Sequence, residues 1–224
     1  KELRPLADRG DAEAQFRVGL MYEFGKGFSV DMPRAIAWLG KSAAQGHVAA
    51  QLELGVIYAN GEGVPKDSTK AVAWFRKAAM QGNATGQYNL GLMYAKGSGV
   101  GLDIAQAIAW FRKAAEQGDT GALFKLGVAY ENGEGVARDN VLAYTNYAIA
   151  ARNGNKEYAE FRDDIARKLS PSQARDAKAI ADAWLPGKPL PGNGDVSGGT
   201  AVAANATPAP AANTPPAPDK CSAT

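Results

Sequence analysis

The residues of this chain that could do chemistry are one histidine, one cysteine and regular series of aspartates, glycines and tryptophans. His47 could act as a base or a metal ligand. A metal site needs several ligands, and no second His or nearby Cys completes one. Asp31, Asp67, Asp103 and Asp139 look like a carboxylate series. General acid–base work needs carboxylates that converge on one substrate. Equal spacing along a stack of helices sets them apart instead, by about 10 Å for each helix packed between them. The Gly-X-Gly turns at Gly25, Gly61, Gly97 and Gly133 could cradle a phosphate. Phosphate-binding loops require a preceding strand, and no Gly-Lys-Ser/Thr follows here. Trp38, Trp74 and Trp110 have Lys41, Arg76-Lys77 and Arg112-Lys113 close behind them. They read as packing beside a solvated basic face rather than as a ligand platform. There is no Ser-X-X-Lys motif and no nucleophile with a partner base.

The spacing of these residues explains them better than any reaction does. Gly19-Leu20-Met21-Tyr22 returns as Gly55-Val56-Ile57-Tyr58, Gly91-Leu92-Met93-Tyr94 and Gly127-Val128-Ala129-Tyr130, 36 residues apart each time. A fixed period of this size predicts a solenoid, in which each unit buries its apolar face against its neighbours. Within a unit, Ala14, Val18, Gly19 and Tyr22 share one face of a first helix, helix A. Glycine inside a helix costs about 1 kcal/mol against alanine. A column of four such glycines predicts a neighbouring helix that approaches too closely for a side chain.

A seven-residue turn follows, from Gly25 to Asp31 in the first unit and from Gly61 to Asp67 in the second. Its first glycine suits a left-handed helix end. Phe28, Val64, Val100 and Val136 are placed to plug the turn into the core. The closing Asp stands where helix B needs an N-cap. Helix B carries Ala35, Trp38 and Leu39 and their equivalents, and ends at Gly46, Gly82, Gly118 or Gly154. The next residue is Asp11, His47, Asn83, Asp119 or Asn155 in successive units, which makes His47 a cap and an exposed turn residue.

In register, the units resemble the Sel1-like repeat, a relative of the tetratricopeptide repeat with a longer inter-helix turn. The resemblance implies an all-α fold, a right-handed α-solenoid whose A helices line a concave surface. It implies a scaffold or adaptor for protein–protein interaction, not an enzyme, with no cofactor. The repeats run over 1–154, as a partial unit 1–10 and full units 11–46, 47–82, 83–118 and 119–154. In the fourth unit Asn146 replaces the tryptophan and Tyr144 and Tyr147 supply bulk, as suits a terminal repeat that faces solvent.

Residues 155–185 predict C-terminal capping helices. The first has Asp163 in the glycine column, which suits a helix with no neighbour outside it. Ser170-Pro171-Ser172-Gln173 starts the second with a capping box, and this helix is expected to lie across the open end of the last repeat. From Pro186 to Thr224 the Ala/Pro-rich sequence predicts a disordered tail. Cys221 lies within it, and one cysteine excludes an intrachain disulfide framework.

The net charge of +2 in 224 residues lacks the basic balance of a nucleic-acid binder. No apolar run approaches the length of a membrane span. The chain opens at Lys1 inside a unit, so its natural N-terminus is expected upstream. The family resemblance and the tail suggest a periplasmic or secreted bacterial protein, acting as a monomer.

Columns on the far side of helix A from its packing face change chemistry down the stack. One reads Glu13, Ala49, Thr85, Gly121, the next Arg17, Glu53, Asn89, Lys125, and the third Phe24, Asn60, Lys96, Asn132. Varied side chains on a regular frame suit a groove that binds a peptide or protein segment. Glu13, Arg17, Phe24, Glu53, Asn60, Asn89, Lys96, Lys125 and Asn132 are the candidate contacts. The alternative is an envelope-associated enzyme or a β-lactam- or peptidoglycan-related binding protein. Family members proposed for β-lactam chemistry carry a Cys pair in each repeat, which this chain lacks.

Overall fold

The computed structural model describes residues 3–27 and 29–192. All regular elements among them are helical: α1 Leu3–Asp8, α2 Ala12–Glu23, α3 Met32–Ala44, α4 Val48–Asn60, α5 Ser68–Met80, α6 Ala84–Lys96, α7 Ile104–Glu116, α8 Thr120–Asn132, α9 Asn140–Ala150, α10 Lys156–Ala166 and α11 Pro171–Ala183. α2, α4, α6 and α8 are A helices, and α3, α5, α7 and α9 are their B partners. Each A helix packs on its own B helix, and each B helix packs on the A helix that follows. The chain is therefore an α-solenoid, and α1 stands in for a B helix ahead of α2.

The helix ends follow local rules. Asp31, Asp67, Asp103 and Asp139 each accept a backbone N–H from the first turn of the helix they open. Each such cap is worth about 1 kcal/mol. Asp11, Asn83, Asp119 and Asn155 cap α2, α6, α8 and α10 in the same way. Gly61, Gly97 and Gly133 close α4, α6 and α8 with φ of 80°, 62° and 76°. Val64, Val100 and Val136 pack against the core as expected, while Phe28 lies outside the described residues.

The glycine column has the expected cause. A Cβ on Gly91 would stand 2.7 Å from the Phe111 ring, and one on Gly19 would stand 2.8 Å from Leu39 Cδ2. Phe75 and Tyr147 crowd Gly55 and Gly127 equally. Tight A–B packing thus outweighs helix propensity. At Asp163, the same column in α10, the side chain is exposed, because α11 packs on α9 and not on α10.

A buried polar ladder was not anticipated. Gln15, Gln51 and Gln87 are buried and donate to the carbonyls of Ala7, Ala43 and Ala79. Their amide oxygens accept from Gln45, Gln81 and Gln117 at 2.8 Å each. These bonds bind the start of each A helix to the ends of the two B helices beside it, because a buried amide left unpaired would cost about 1–3 kcal/mol. In the fourth unit the two columns read Leu123 and Asn153, and the ladder stops.

The C-terminal end departs from expectation in three ways. α10, not α11, closes the last repeat: Phe124 of α8 stacks on Tyr158 and meets Phe161 edge-on, at 4.7 and 4.9 Å. α11 lies on α9, with Ala177 and Ala181 fully buried. Asn146 is consequently buried rather than solvent-facing, donating to the Leu142 carbonyl. Small and polar residues there give way to a helix that the other B helices lack.

The third departure is at the start of the tail, which the composition predicts to be disordered from Pro186 on. Residues 186–192 form a strap that runs back over the repeats. Gly187 N donates to the Glu116 carbonyl, Trp184 Nε1 donates to the Lys188 carbonyl, and Arg152 donates to the Trp184 carbonyl. Leu190 is buried in the core formed by α7, α8 and α9. One large apolar side chain and three hydrogen bonds offset the ordering cost of a short segment. The expected disorder of 193–224, with Cys221, lies outside the described residues.

Candidate functional site

The candidate columns all lie at least partly exposed along the A helices, and none of their nine named residues is buried. Glu13 pairs with Arg17 one turn on and with His47 Nε2 at 2.9 Å. His47 Nδ1 accepts the Ala50 N–H, so the neutral ring carries its proton on Nε2 and donates it to Glu13. The ring also packs on Phe16 at 4.8 Å. His47 is thus the expected cap, but it is half-buried and joins two repeats instead of standing free in a turn. Hydrogen bonds from His47 and Arg17 hold the Glu13 carboxyl below its usual range.

Phe24 is 59% exposed at the end of α2, and Lys26 Nζ stands 5.9 Å from its ring. Asn60 donates to Glu62 Oε1 at 2.7 Å, and Asn132 repeats this with Glu134 at 3.1 Å. Lys125 lies 5.9 Å from the Phe124 ring. Asn89 is half-buried and Lys96 exposed. Of the nine, all among the described residues, the structure therefore joins Glu13 to Arg17, while no other two of them bond to each other.

The basic B-helix residues Lys41, Arg76, Lys77 and Lys113 are exposed, as expected, and Arg112 is half-buried. Lys41, Lys77 and Lys113 sit 4.2, 4.0 and 4.4 Å from the rings of Trp38, Trp74 and Trp110. Arg76 and Arg112 donate to the hydroxyls of Tyr94 and Tyr130. Each cation covers an aromatic face while its charge stays in water.

One residue escaped the column reading. Glu23 ends α2 and is 9% exposed, and its Oε2 has no hydrogen-bond partner. Burial, then the neighbouring carboxylates of Glu53 and Glu62, push its carboxyl up to about 7. At neutral pH the Glu23 carboxyl is therefore only partly ionised. The signal was present in the sequence: the column reads Glu23, Ala59, Ala95, Glu131, and two alanines between terminal glutamates mark a half-buried position with two charged exceptions.

Glu131 resolves the same burial differently. It accepts from Tyr147 Oη at 2.9 Å and from Lys168 Nζ at 2.7 Å. Burial pushes its carboxyl up, but these two partners outweigh it and hold the group below its usual range. Among the described residues no cluster of His, Cys, Asp or Glu has the geometry to hold a metal, and no helix is long and apolar enough to cross a membrane.

A family model, the Sel1 repeat, matches residues 12–47, 48–83, 84–119 and 120–155. Its unit starts one residue after the frame read from the sequence. Among solved structures, the chain is similar to c5321, a protective antigen present in uropathogenic Escherichia coli strains. Identity is 38%, TM-score 0.74, and the match covers 80% of this chain and 38% of that one. A Sel1 repeat protein from Oxalobacter formigenes is 31% identical with a TM-score of 0.68, covering 78% of this chain and 74% of that one. A further Sel1 repeat protein, from Klebsiella pneumoniae, is 20% identical with a TM-score of 0.50 over 81% of this chain and 91% of that one, and shares the fold. This chain thus spans well under half of the E. coli antigen. Comparison with curated proteins gives no match.

Proposed function

The chain belongs to the Sel1 repeat family, and from that premise we propose that it is an interaction scaffold holding a partner's peptide or protein segment along its A helices. Proteins built from these repeats generally act as interaction scaffolds. The observation that carries the reading is the contrast between columns. Ala, Gly, Tyr and Gln recur at packing positions, whereas the exposed A-helix columns change type from unit to unit, with only Asn60 and Asn132 alike within a column. A regular frame positions those side chains at fixed intervals, so an extended segment could meet several of them at once.

Affinity capture with Arg17→Glu and Lys125→Glu tests the groove. Loss of the partners that the unaltered protein captures supports it. Capture that survives both substitutions overturns it.

A periplasmic or secreted location and a monomeric state belong to the same proposal. The E. coli relative's description as a protective antigen supports the location. Recovery of the protein with cytoplasmic markers on fractionation would overturn it.

A further inference from the structure

The first and last junctions of the solenoid carry a glutamate in the same column, and only one of the two is neutralised. Glu131 receives Tyr147, 16 residues on, and Lys168, 37 residues on. The residues at those offsets from Glu23 are Leu39 and Asn60. Leu39 has no hydroxyl to donate, and the Asn60 amide is turned to Glu62. Both groups that satisfy the buried carboxylate at one end are missing at the other.

We propose that Glu23, Glu53 and Glu62 form a receptor for the ammonium of a lysine in the partner's segment, which would stand where Lys168 stands at the far end. This assignment rests on the reading of the A-helix face as a peptide groove.

Four observations support a cationic occupant. The charged groups that act on Glu23 are Glu53 from α4 and Glu62 from the turn after it, both negative. Glu23 Oε2 is buried without a partner, and a buried acceptor left unpaired is costly. The carboxyl lies at the last residue of α2, where the helix dipole favours a cation. The cluster opens outward, since Glu53 is half-buried and Glu62 and Asn60 are exposed. The same three carboxylates do not have the geometry of a metal site.

The model for the occupant is inside the molecule, so the test begins there. Asn60→Lys puts an ammonium at the offset Lys168 occupies. It is expected to raise the melting temperature and to bring the Glu23 carboxyl down toward its ordinary range, followed by carboxyl-carbon NMR. The second arm is a synthetic peptide array in which every lysine peptide is paired with its acetyl-lysine counterpart.

The unaltered protein should retain a subset of lysine peptides about tenfold better than their acetylated forms, the worth of one charge-assisted buried bond. Both Glu23→Gln and Asn60→Lys should abolish that preference. If Asn60→Lys leaves the melting temperature and the Glu23 titration unchanged, the pocket does not take an ammonium and the proposal falls. If that arm succeeds but the array shows no lysine preference, the partner assignment falls. If no peptide of either kind is retained, the groove reading falls with it. Retention that Glu23→Gln does not alter places the binding elsewhere and also overturns the receptor.

Discussion

Lys168 Nζ stands 2.7 Å from Glu131 Oε1, so a charge pair ties the segment after α10 to the end of α8. With Tyr147 donating to the other oxygen of the same carboxylate, this pair fastens the capping helix to the last repeat. The Glu131 side chain is 23% exposed and Lys168 47%, which screens the attraction. Lys168→Met is therefore expected to cost about 1 kcal/mol, read from a urea midpoint, and to raise the Glu131 pKa. An unchanged midpoint and an unchanged titration would show that the pair has no energetic role.

Stability should fall as pH rises through the range in which Glu23 ionises. Its carboxyl lies near 4.5 when unfolded and is pushed up to about 7 in the fold, first by burial and then by Glu53 and Glu62. Between those values the folded chain binds the proton and the unfolded chain does not, so raising pH favours unfolding. Glu13 and Glu131 have the opposite sign, because their carboxyls are held low. Their stabilisation is present above the unfolded value and lost as pH falls below it. Melting curves from pH 5 to 8, roughly the window these directions set, should decline in the unaltered protein. In Glu23→Gln they should be flatter, and equal slopes would contradict the burial of this group.

Two glycine-to-alanine changes inside helices should have opposite signs. Gly91→Ala places a Cβ 2.7 Å from the Phe111 ring and 3.3 Å from the Ala107 carbonyl oxygen. Overpacking of this kind costs about 1–3 kcal/mol, more than helix propensity returns. A Cβ at Gly40 meets nothing within 4 Å, so Gly40→Ala should stabilise by about 1 kcal/mol. Denaturant midpoints that move the same way for both would reject close A–B approach as the cause of the glycine column.

The strap after α11 should contribute measurably. Leu190 is 5% exposed and Trp184 6%. Leu190→Ala is expected to cost about 2 kcal/mol, at the lower end for a leucine lost from a core edge. Ending the chain after Leu185 should cost at least as much and shift Trp184 fluorescence toward the red as water reaches the indole. A melting temperature unaffected by both changes would mean that residues 186–192 lie on the repeats without stabilising them.

Much of this was legible beforehand because its causes are local. A cap needs only Asp or Asn and the next turn of backbone, so Asp67 and Asn83 could be assigned from their neighbours. A left-handed helix end needs only glycine at Gly61 or Gly97. The crowding at Gly91 was readable because its register with Phe111 repeats three more times. The exposed columns were legible as surface, but not the bonds within them. The Glu13–His47 bond crosses between repeats, and its partners share no column.

Order in the strap could not be read from composition. Seven residues with three prolines and two glycines look unstructured until Leu190 is seen buried in the core of the last repeats. The lateral seating of α11 on α9 was likewise not readable from the polar Thr145 and Asn146, which the fold buries.

By itself, the sequence determined the period, the helix ends, the turns and the faces that must pack, because each depends on a few adjacent residues repeated in register. Only the tertiary structure decided which charges meet across repeats: Lys168 on Glu131 and, among the described residues, Glu53 and Glu62 on Glu23. Those pairings run diagonally between units, where the offset of one helix against the next and the depth of burial decide whether a carboxylate finds a partner. Two glutamates of one column thereby acquire opposite electrostatics.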